Sequence, residues 1–415
     1  MGYASRMLGI GLALLFILSC VPFTARGSGW TKVEVDSGGG AAGIYAWTSL
    51  ALDANDAVHI SYRTDTYPEG SSIKYATNSS GTWSTSTIEQ MSMAYWRTGT
   101  STTIDKVGSP HVVYSNGTEI KHAFLSSGSW VKETLSSEGL AYGVDSANDL
   151  SGQLRACYFE SDGSVYFNLT HAYRTPSGWN STVIVTNQSM SSISMLVDDQ
   201  GKTRICYTAW TASAGDFTAW YARLDGGVET ISEVYPNAVL VDIAIDSKRD
   251  CHVVFIDRSG DTDSLMYISS NNGTWQPSSL TSIDDRDCWD PSITIDSKNK
   301  VYVSYTAADG GLTLLRCAVK TSDGWKKQTI DKTSTWDIAF VSTSIAVDSA
   351  GIAHISYWRG SGSYLDPDGG LMYASGIVST GESPIVIVGL VVLAAVAISC
   401  VVFVLARRKR TGKLA

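Results

Sequence analysis

Ser49-Leu50-Ala51-Leu52-Asp53-Ala54-Asn55-Asp56-Ala57-Val58-His59-Ile60-Ser61-Tyr62 is the stretch from which the fold can be read. Leu50 and Leu52 alternate with Ser49, Ala51 and Asp53; Val58, Ile60 and Tyr62 then alternate with His59 and Ser61. That is the period of two short strands joined by a tight turn. Far along the chain it returns as Ser344-Ile345-Ala346-Val347-Asp348-Ser349-Ala350-Gly351-Ile352-Ala353-His354-Ile355-Ser356-Tyr357. With the aspartate as position zero, both copies carry Ser at minus four, His at plus six and Tyr at plus nine.

The same frame recurs at Asp105 (Ser101, His111, Tyr114), Asp149 (Asp145, Arg155, Tyr158) and Asp198 (Ser194, Arg204, Tyr207). It continues at Asp246 (Asp242, His252, Phe255) and Asp296 (Ser292, Tyr302, Tyr305). From Asp53 to Asp348 the aspartates stand 52, 44, 49, 48, 50 and 52 residues apart. A period of that length marks a repeat architecture.

A second signature follows in each copy. A short apolar strand with Tyr, such as Ile73-Lys74-Tyr75, Leu265-Met266-Tyr267 or Leu371-Met372-Tyr373, precedes a Gly and then a Trp. An aliphatic residue comes five later, giving Trp83/Ile88, Trp130/Leu135, Trp179/Ile184, Trp275/Leu280 and Trp325/Ile330. The fourth copy has Glu229 in the Trp slot with Val234 after it. The seventh stops at Gly376 without this strand. The missing piece is at the other end of the chain, where Gly29-Trp30 is followed by Val35. An N-terminal strand completing the last unit closes a ring and removes its open edges. The expected fold is therefore all-β: a seven-bladed β-propeller of four-stranded blades, closed by the N-terminal strand joining the last blade, spanning 28–380 as one domain. In the first blade strands are expected at 49–53, 57–62, 71–77 and 83–88.

Both ends read as membrane signals. Residues 1–27 have Arg6, an apolar run and small residues before Gly27, the layout of a secretory signal peptide. Residues 385–406 hold no charge and are long enough to span a bilayer; Arg407-Arg408-Lys409-Arg410 follows at once. A linker at 381–384 precedes the transmembrane helix, and a basic tail at 407–415 follows it. The expectation is a single-pass cell-membrane protein with its propeller extracellular and its C-terminus cytoplasmic. Sequons at Asn78, Asn116, Asn168, Asn180, Asn187 and Asn272 are candidate glycosylation sites on such an exterior.

The 415 residues carry a net charge of −9. Seven of the 31 basic residues lie in the two ends, which hold no acid, so the middle has 40 acids against 24 bases. That excess argues against a nucleic-acid partner, which needs a basic face. Cys157, Cys206, Cys251, Cys288 and Cys317 are an odd set without metal spacing and read as small buried residues.

The repeated Asp, and His59, His111, His252 and His354 at plus six, resemble chemistry. Repetition in every unit argues for scaffold instead, since one active site needs its residues once. Pairing zero with plus six across the hairpin would set Asp and His opposite each other, and Asp suits the turn by accepting backbone N–H groups. Trp30, Trp83, Trp130, Trp179, Trp275 and Trp325 read likewise as anchors packed between units.

Thr321-Ser322-Asp323-Gly324-Trp325 resembles the Asp-box turn of the sialidase superfamily; Ser79-Ser80-Gly81-Thr82-Trp83 is a copy without the Asp. The resemblance implies a propeller whose turns lie on the face away from the active site. The superfamily's arginine triad, Tyr/Glu pair and Asp acid have no placed counterparts, although Arg63, Arg97, Arg286 and Arg359 fall in suitable loops.

Function is expected on the opposite face, where inter-blade loops and the loops between second and third strands gather. These hold Trp47, Trp96, Arg97, Asp285, Arg286, Trp289, Asp290, Trp336, Asp337, Trp358 and Arg359, with Trp210 nearby. Aromatic rings stack on sugar faces and carboxylates accept hydroxyl protons; Trp and Arg equally suit a protein partner. The expected role is recognition of glycans or surface proteins. A sialidase-like glycoside hydrolase, needing two carboxylates and an arginine cluster near the axis, and a structural cell-envelope role are the alternatives. No motif calls for a cofactor; calcium is the one ion that Asp284–Asp287 or Asp366-Pro367-Asp368-Gly369 would suit, without EF-hand spacing.

Overall fold

Each repeated aspartate ends an inner strand and builds the turn that follows. In the computed structural model, Asp53 Oδ1 accepts the N–H groups of Asn55 at 2.8 Å and Ala57 at 2.9 Å. The other six aspartates do the same at plus two and plus four. The turn demands a left-handed residue at plus three. Asp56, Gly108, Gly152, Gly201, Arg249, Asn299 and Gly351 all have φ between 61° and 88° there.

The structure describes residues 29–37, 47–66, 70–91, 99–137, 139–161, 166–271, 273–333, 340–363 and 366–379. The expected signal peptide, linker, transmembrane helix and tail lie outside the described residues, as do Trp96, Arg97, Trp336, Asp337 and Asn272. Among the described residues no helix is long and apolar enough to cross a membrane.

Seven antiparallel sheets form the propeller. Blades 1 to 6 occupy residues 48–91, 100–136, 140–188, 190–235, 238–284 and 288–333. Blade 7 takes Phe340–Val347, Ala353–Ser363 and Asp366–Gly376 and adds Thr31–Asp36 as its outer strand. The closing strand pairs Thr31 with Ser375, Val33 with Tyr373 and Glu34 with Met372. Gly376 is required at this join: a Cβ on it would lie 2.8 Å from Trp30 Cδ2. The outer strand of blade 5 departs from the repeat. The 3-10 turn Pro277–Ser279 splits it into Thr274–Trp275 and Thr281–Asp284, because Pro277 has no N–H for a ladder.

One expectation is corrected by the register. His59 lies opposite Ala51, and Leu52 opposite Val58, so zero and plus six are diagonal on one face rather than directly opposed. The diagonal contact is present in every blade. From the second oxygen of the aspartate, Arg155 stands at 3.0 Å, Arg204 at 2.6 Å, His354 at 3.2 Å, Tyr302 at 3.3 Å, His111 at 3.4 Å, His59 at 3.6 Å and His252 at 3.7 Å.

Apolar alternation fills the seams between blades. Leu50, Val58, Ile60 and Tyr62 of blade 1 pack on Trp358, Leu371 and Tyr373 of blade 7, with Val33 and Val35 over the same cluster. The other face of blade 1 sets Ile73, Tyr75 and Ile88 against Val112 and Tyr114 of blade 2. Each large side chain so buried contributes about 1.5–3 kcal/mol. The signature Trp of blades 1, 2, 5 and 6 stands edge-on to a Tyr of the preceding blade, as Trp130 does on Tyr75 at 5.1 Å and Trp325 on Tyr267 at 5.2 Å; in blade 3 Trp179 stands on His122 instead. The Tyr at plus nine adds a polar stitch: Tyr114 donates to Glu89 at 2.7 Å and Tyr305 to Asp284 at 2.9 Å, each acid on the outer strand of the preceding blade.

Candidate functional site

The residues at minus four line the axis, and they are linked. Each accepts a hydrogen bond from the backbone N–H at minus three of the next blade. Ser49 accepts from Thr102 at 2.9 Å, Ser101 from Ser146 at 3.0 Å and Asp145 from Met195 at 2.7 Å. Ser194 accepts from Ile243 at 3.4 Å, Asp242 from Ile293 at 2.8 Å and Ser292 from Ile345 at 3.4 Å. Ser344 accepts from Leu50 at 3.0 Å, which closes the ring. A short oxygen-bearing side chain is therefore needed at this position in all seven blades. Ser and Asp meet the need; a longer chain would fill the axis.

Toward the start of the inner strands the axis opens into a cavity of about 350 Å³. Its wall comes from all seven blades, from positions minus seven to minus four, and includes Trp47, Tyr142, Asp145, Asp242, Asp290 and Ser342. Bulges in blades 3, 5, 6 and 7 turn the backbone here. At minus six, Gly143, Leu240, Asp290 and Ser342 have φ of 58°, 54°, 49° and 53°. The left-handed state costs a non-glycine residue of order 1–3 kcal/mol, and the surrounding sheets hold it. The result places the Asp290 carboxylate where it accepts the N–H of Ser342 at 3.0 Å, while Ser342 Oγ accepts from Thr48 at 3.0 Å.

Three carboxyl groups thus line one half-open cavity, with no Lys, Arg or His among the described lining residues. Burial raises Asp145 to about 6 against the pull of its Met195 and Ser101 hydrogen bonds, and the nearby Asp242 adds repulsion. Burial pushes Asp242 and Asp290 up as well. The site can donate and accept hydrogen bonds to hydroxyls, and Asp145 can hold or release a proton near neutral pH.

The expected ligand residues divide. Trp47 is 38% exposed and forms part of the cavity wall, and Asp290 lies inside the cavity. Trp289 is half-buried beside it. Trp358 is corrected: it is 1% exposed, wedged among Leu50, Ile60 and Tyr62, and cannot meet a ligand. Arg359 is exposed and lies 3.9 Å from Asp331. Arg286 pairs with Asp309 at 3.0 Å, away from the axis, and Asp285 is exposed. Trp210 is 46% exposed. For the calcium expectation, Asp284 is engaged by Arg316 at 2.6 Å and by Tyr305. Among the described residues no group of three or more His, Cys, Asp or Glu is placed to hold a metal ion. Of the sequons, Asn180 and Asn187 are exposed. Asn78 Oδ1 accepts the Val58 N–H at 2.7 Å, Asn116 Nδ2 donates to Glu119 at 3.1 Å, and Asn168 Oδ1 accepts from Asn187 at 3.3 Å. The five cysteines of the middle are free and buried.

Asp145 and Asp242 are the residues that loop-based reasoning passes over. Their signal was present: five copies carry Ser at minus four and two carry Asp.

No family model matches the chain, and no curated protein matches it. Solved structures do. A polysaccharide lyase, an ulvan lyase, is 12% identical at a TM-score of 0.53, covering 82% of this chain and 95% of its own. The polysaccharide lyase Uly1 is 10% identical at 0.52, covering 80% and 89%. The BP39L lectin from Burkholderia pseudomallei is 13% identical at 0.53, covering 76% and 96%. At these identities the likeness is one of fold.

Proposed function

We propose that this chain is a membrane-anchored cell-surface propeller that binds glycans through its axial cavity and the rim around it. The observation that carries the reading is the cavity itself: hydroxyls and three carboxyl groups on the wall, with the Trp47 ring exposed beside them. That mixture of an apolar plate and convergent polar groups is what a sugar requires. A volume of about 350 Å³ suits a terminal sugar rather than a long chain. Three acids, with no base among the described lining residues, repel uronic and sialic acids, so the bound sugar is neutral or carries an amine. Neighbours that include polysaccharide lyases and a lectin support carbohydrate as the ligand class.

A glycan array probed with the detergent-solubilised full chain tests this. Saturable binding to neutral or amino sugars, lost in Trp47→Ala, is expected. No binding by the folded protein contradicts it and shifts the role to a protein partner or the cell envelope.

One observation favours an enzymatic second reading. Asp145, raised to about 6 beside Asp242, has the proton affinity of a general acid. Release of reducing sugar from an array hit, lost in Asp145→Asn, would support it. The arginine cluster of a sialidase-type site has no counterpart among the described lining residues.

A further inference from the structure

Blade 2 departs from blades 1, 5 and 7, the other blades with a plus-six histidine, at two touching positions. In blades 1, 5 and 7 the plus-six histidine bonds through Nδ1 to a tyrosine hydroxyl on the third strand: His59 to Tyr75, His252 to Tyr267 at 2.5 Å and His354 to Tyr373 at 2.6 Å. That hydroxyl donates to Nδ1 and Nε2–H faces the aspartate, at 3.2 Å in blade 7 and at 3.6 and 3.7 Å in blades 1 and 5, so a neutral imidazole suffices. In blade 2 the same register position, opposite plus eight, is His122. The outer-strand residue opposite it is Glu133, where blade 1 has Ser86, blade 3 Thr182 and blade 4 Ser232.

These two changes build a chain of four titratable groups. Asp105 Oδ2 lies 3.4 Å from His111 Nε2, His111 Nδ1 lies 2.9 Å from His122 Nε2, and His122 Nδ1 lies 3.4 Å from Glu133 Oε2. The rings are near parallel, 11° apart, with Phe124 against both. Glu133 then reaches blade 3: Arg174 donates to it at 2.7 and 3.0 Å, and the Trp179 indole N–H at 3.3 Å. Arg174 holds Glu133 ionised, down to about 2. Asp105, Glu133 and Arg174 are the charged groups facing the pair from the turn, the outer strand and the next blade.

Counting protons decides what the chain can do. Its three contacts need three N–H protons, because a carboxylate only accepts. Two neutral imidazoles supply two, so one contact sets lone pair against lone pair. One added proton completes all three. A second would put two imidazolium ions at 2.9 Å and is excluded. We propose that the His111–His122 pair is a one-proton switch, taking up a single shared proton as pH falls and thereby completing the chain from Asp105 to Glu133 against a seam that Arg174 and Trp179 of blade 3 already hold.

Burial opposes the uptake: it lowers His111 and takes His122 to about 4, so the pair is neutral at pH 7 and takes up its proton only in acid. The switch is independent of any glycan.

The test is NMR of the full chain with 15N-labelled histidine and tryptophan, titrated from pH 7.5 to 4. The expected result is that His111 and His122 titrate together with one proton between them, and the Trp179 indole signal moves with the same midpoint. His122→Tyr, which restores the pattern of blades 1, 5 and 7, and Glu133→Ser, which restores that of blade 1, each abolish the Trp179 shift. Two independent one-proton curves, rings that stay neutral to pH 4, or a Trp179 response unchanged in both variants would overturn the proposal.

Discussion

Asp145 of blade 3 accepts the backbone N–H of Met195 in blade 4 at 2.7 Å, and Ser101 of blade 2 donates to the same carboxyl at 2.8 Å. The pair shows how one position serves both fold and cavity. Every minus-four side chain holds the next blade in place, and all of them but Ser101 also line the axial cavity.

Removing one link of this ring should be felt. Ser101 donates to Asp145 at 2.8 Å and accepts from the Ser146 hydroxyl at 3.0 Å, so Ser101→Ala takes one donor from the buried Asp145 carboxyl and the acceptor from Ser146 Oγ, while the Ser146 N–H keeps Asp145. The expected loss is about 1–3 kcal/mol, measured by denaturant unfolding. Ser101→Thr keeps the oxygen and should lose less.

Asp145 gives the ring a pH signature. Its folded value of about 6 lies above the ordinary carboxylate range, so the folded chain binds this proton more tightly than the unfolded one. The stability it contributes is present below pH 4 and is lost as pH rises to about 6. Asparagine resembles the protonated acid and does not titrate. Between pH 4 and 7 the stability of Asp145→Asn should therefore improve relative to wild type by about 2–3 kcal/mol. Paired urea titrations at the two pH values measure it.

Closure depends on Trp30. Its ring lies on Gly376 and packs against the cluster of Tyr302, Cys317 and Ile355. Trp30→Ala should cost about 3 kcal/mol. Gly376→Ala forces the Cβ clash at 2.8 Å and should lower the melting temperature as well. Thermal unfolding followed by tryptophan fluorescence reports both.

The turn aspartates predict a further loss. Asp348→Ala orphans the N–H groups of Ala350 and Ile352 and the contact to His354. It should destabilise by about 1–3 kcal/mol, whereas Asp348→Asn, which keeps one acceptor oxygen, should lose less. Denaturant midpoints compare the two.

The repeat and the split last blade were legible because Asp53 and its copies keep one spacing relative to strand alternation, and Trp30 carries the motif that blade 7 lacks. The cavity was less so. Leu240, Asp290 and Ser342 adopt left-handed φ because neighbouring sheets impose it, and their residue types do not announce it. Trp358 follows an alternating strand into a loop-like run, yet blade 1 covers it. The diagonal rather than opposed setting of His59 and Asp53 depends on turn length, which composition alone leaves open.

The most direct test of the account is an experimental structure with the strongest neutral or amino-sugar array hit bound. The account predicts the sugar in the axial cavity, hydrogen-bonded to one or more of Asp145, Asp242 and Asp290 and against the Trp47 ring. A sugar bound between outer strands, with the axis untouched, would contradict it.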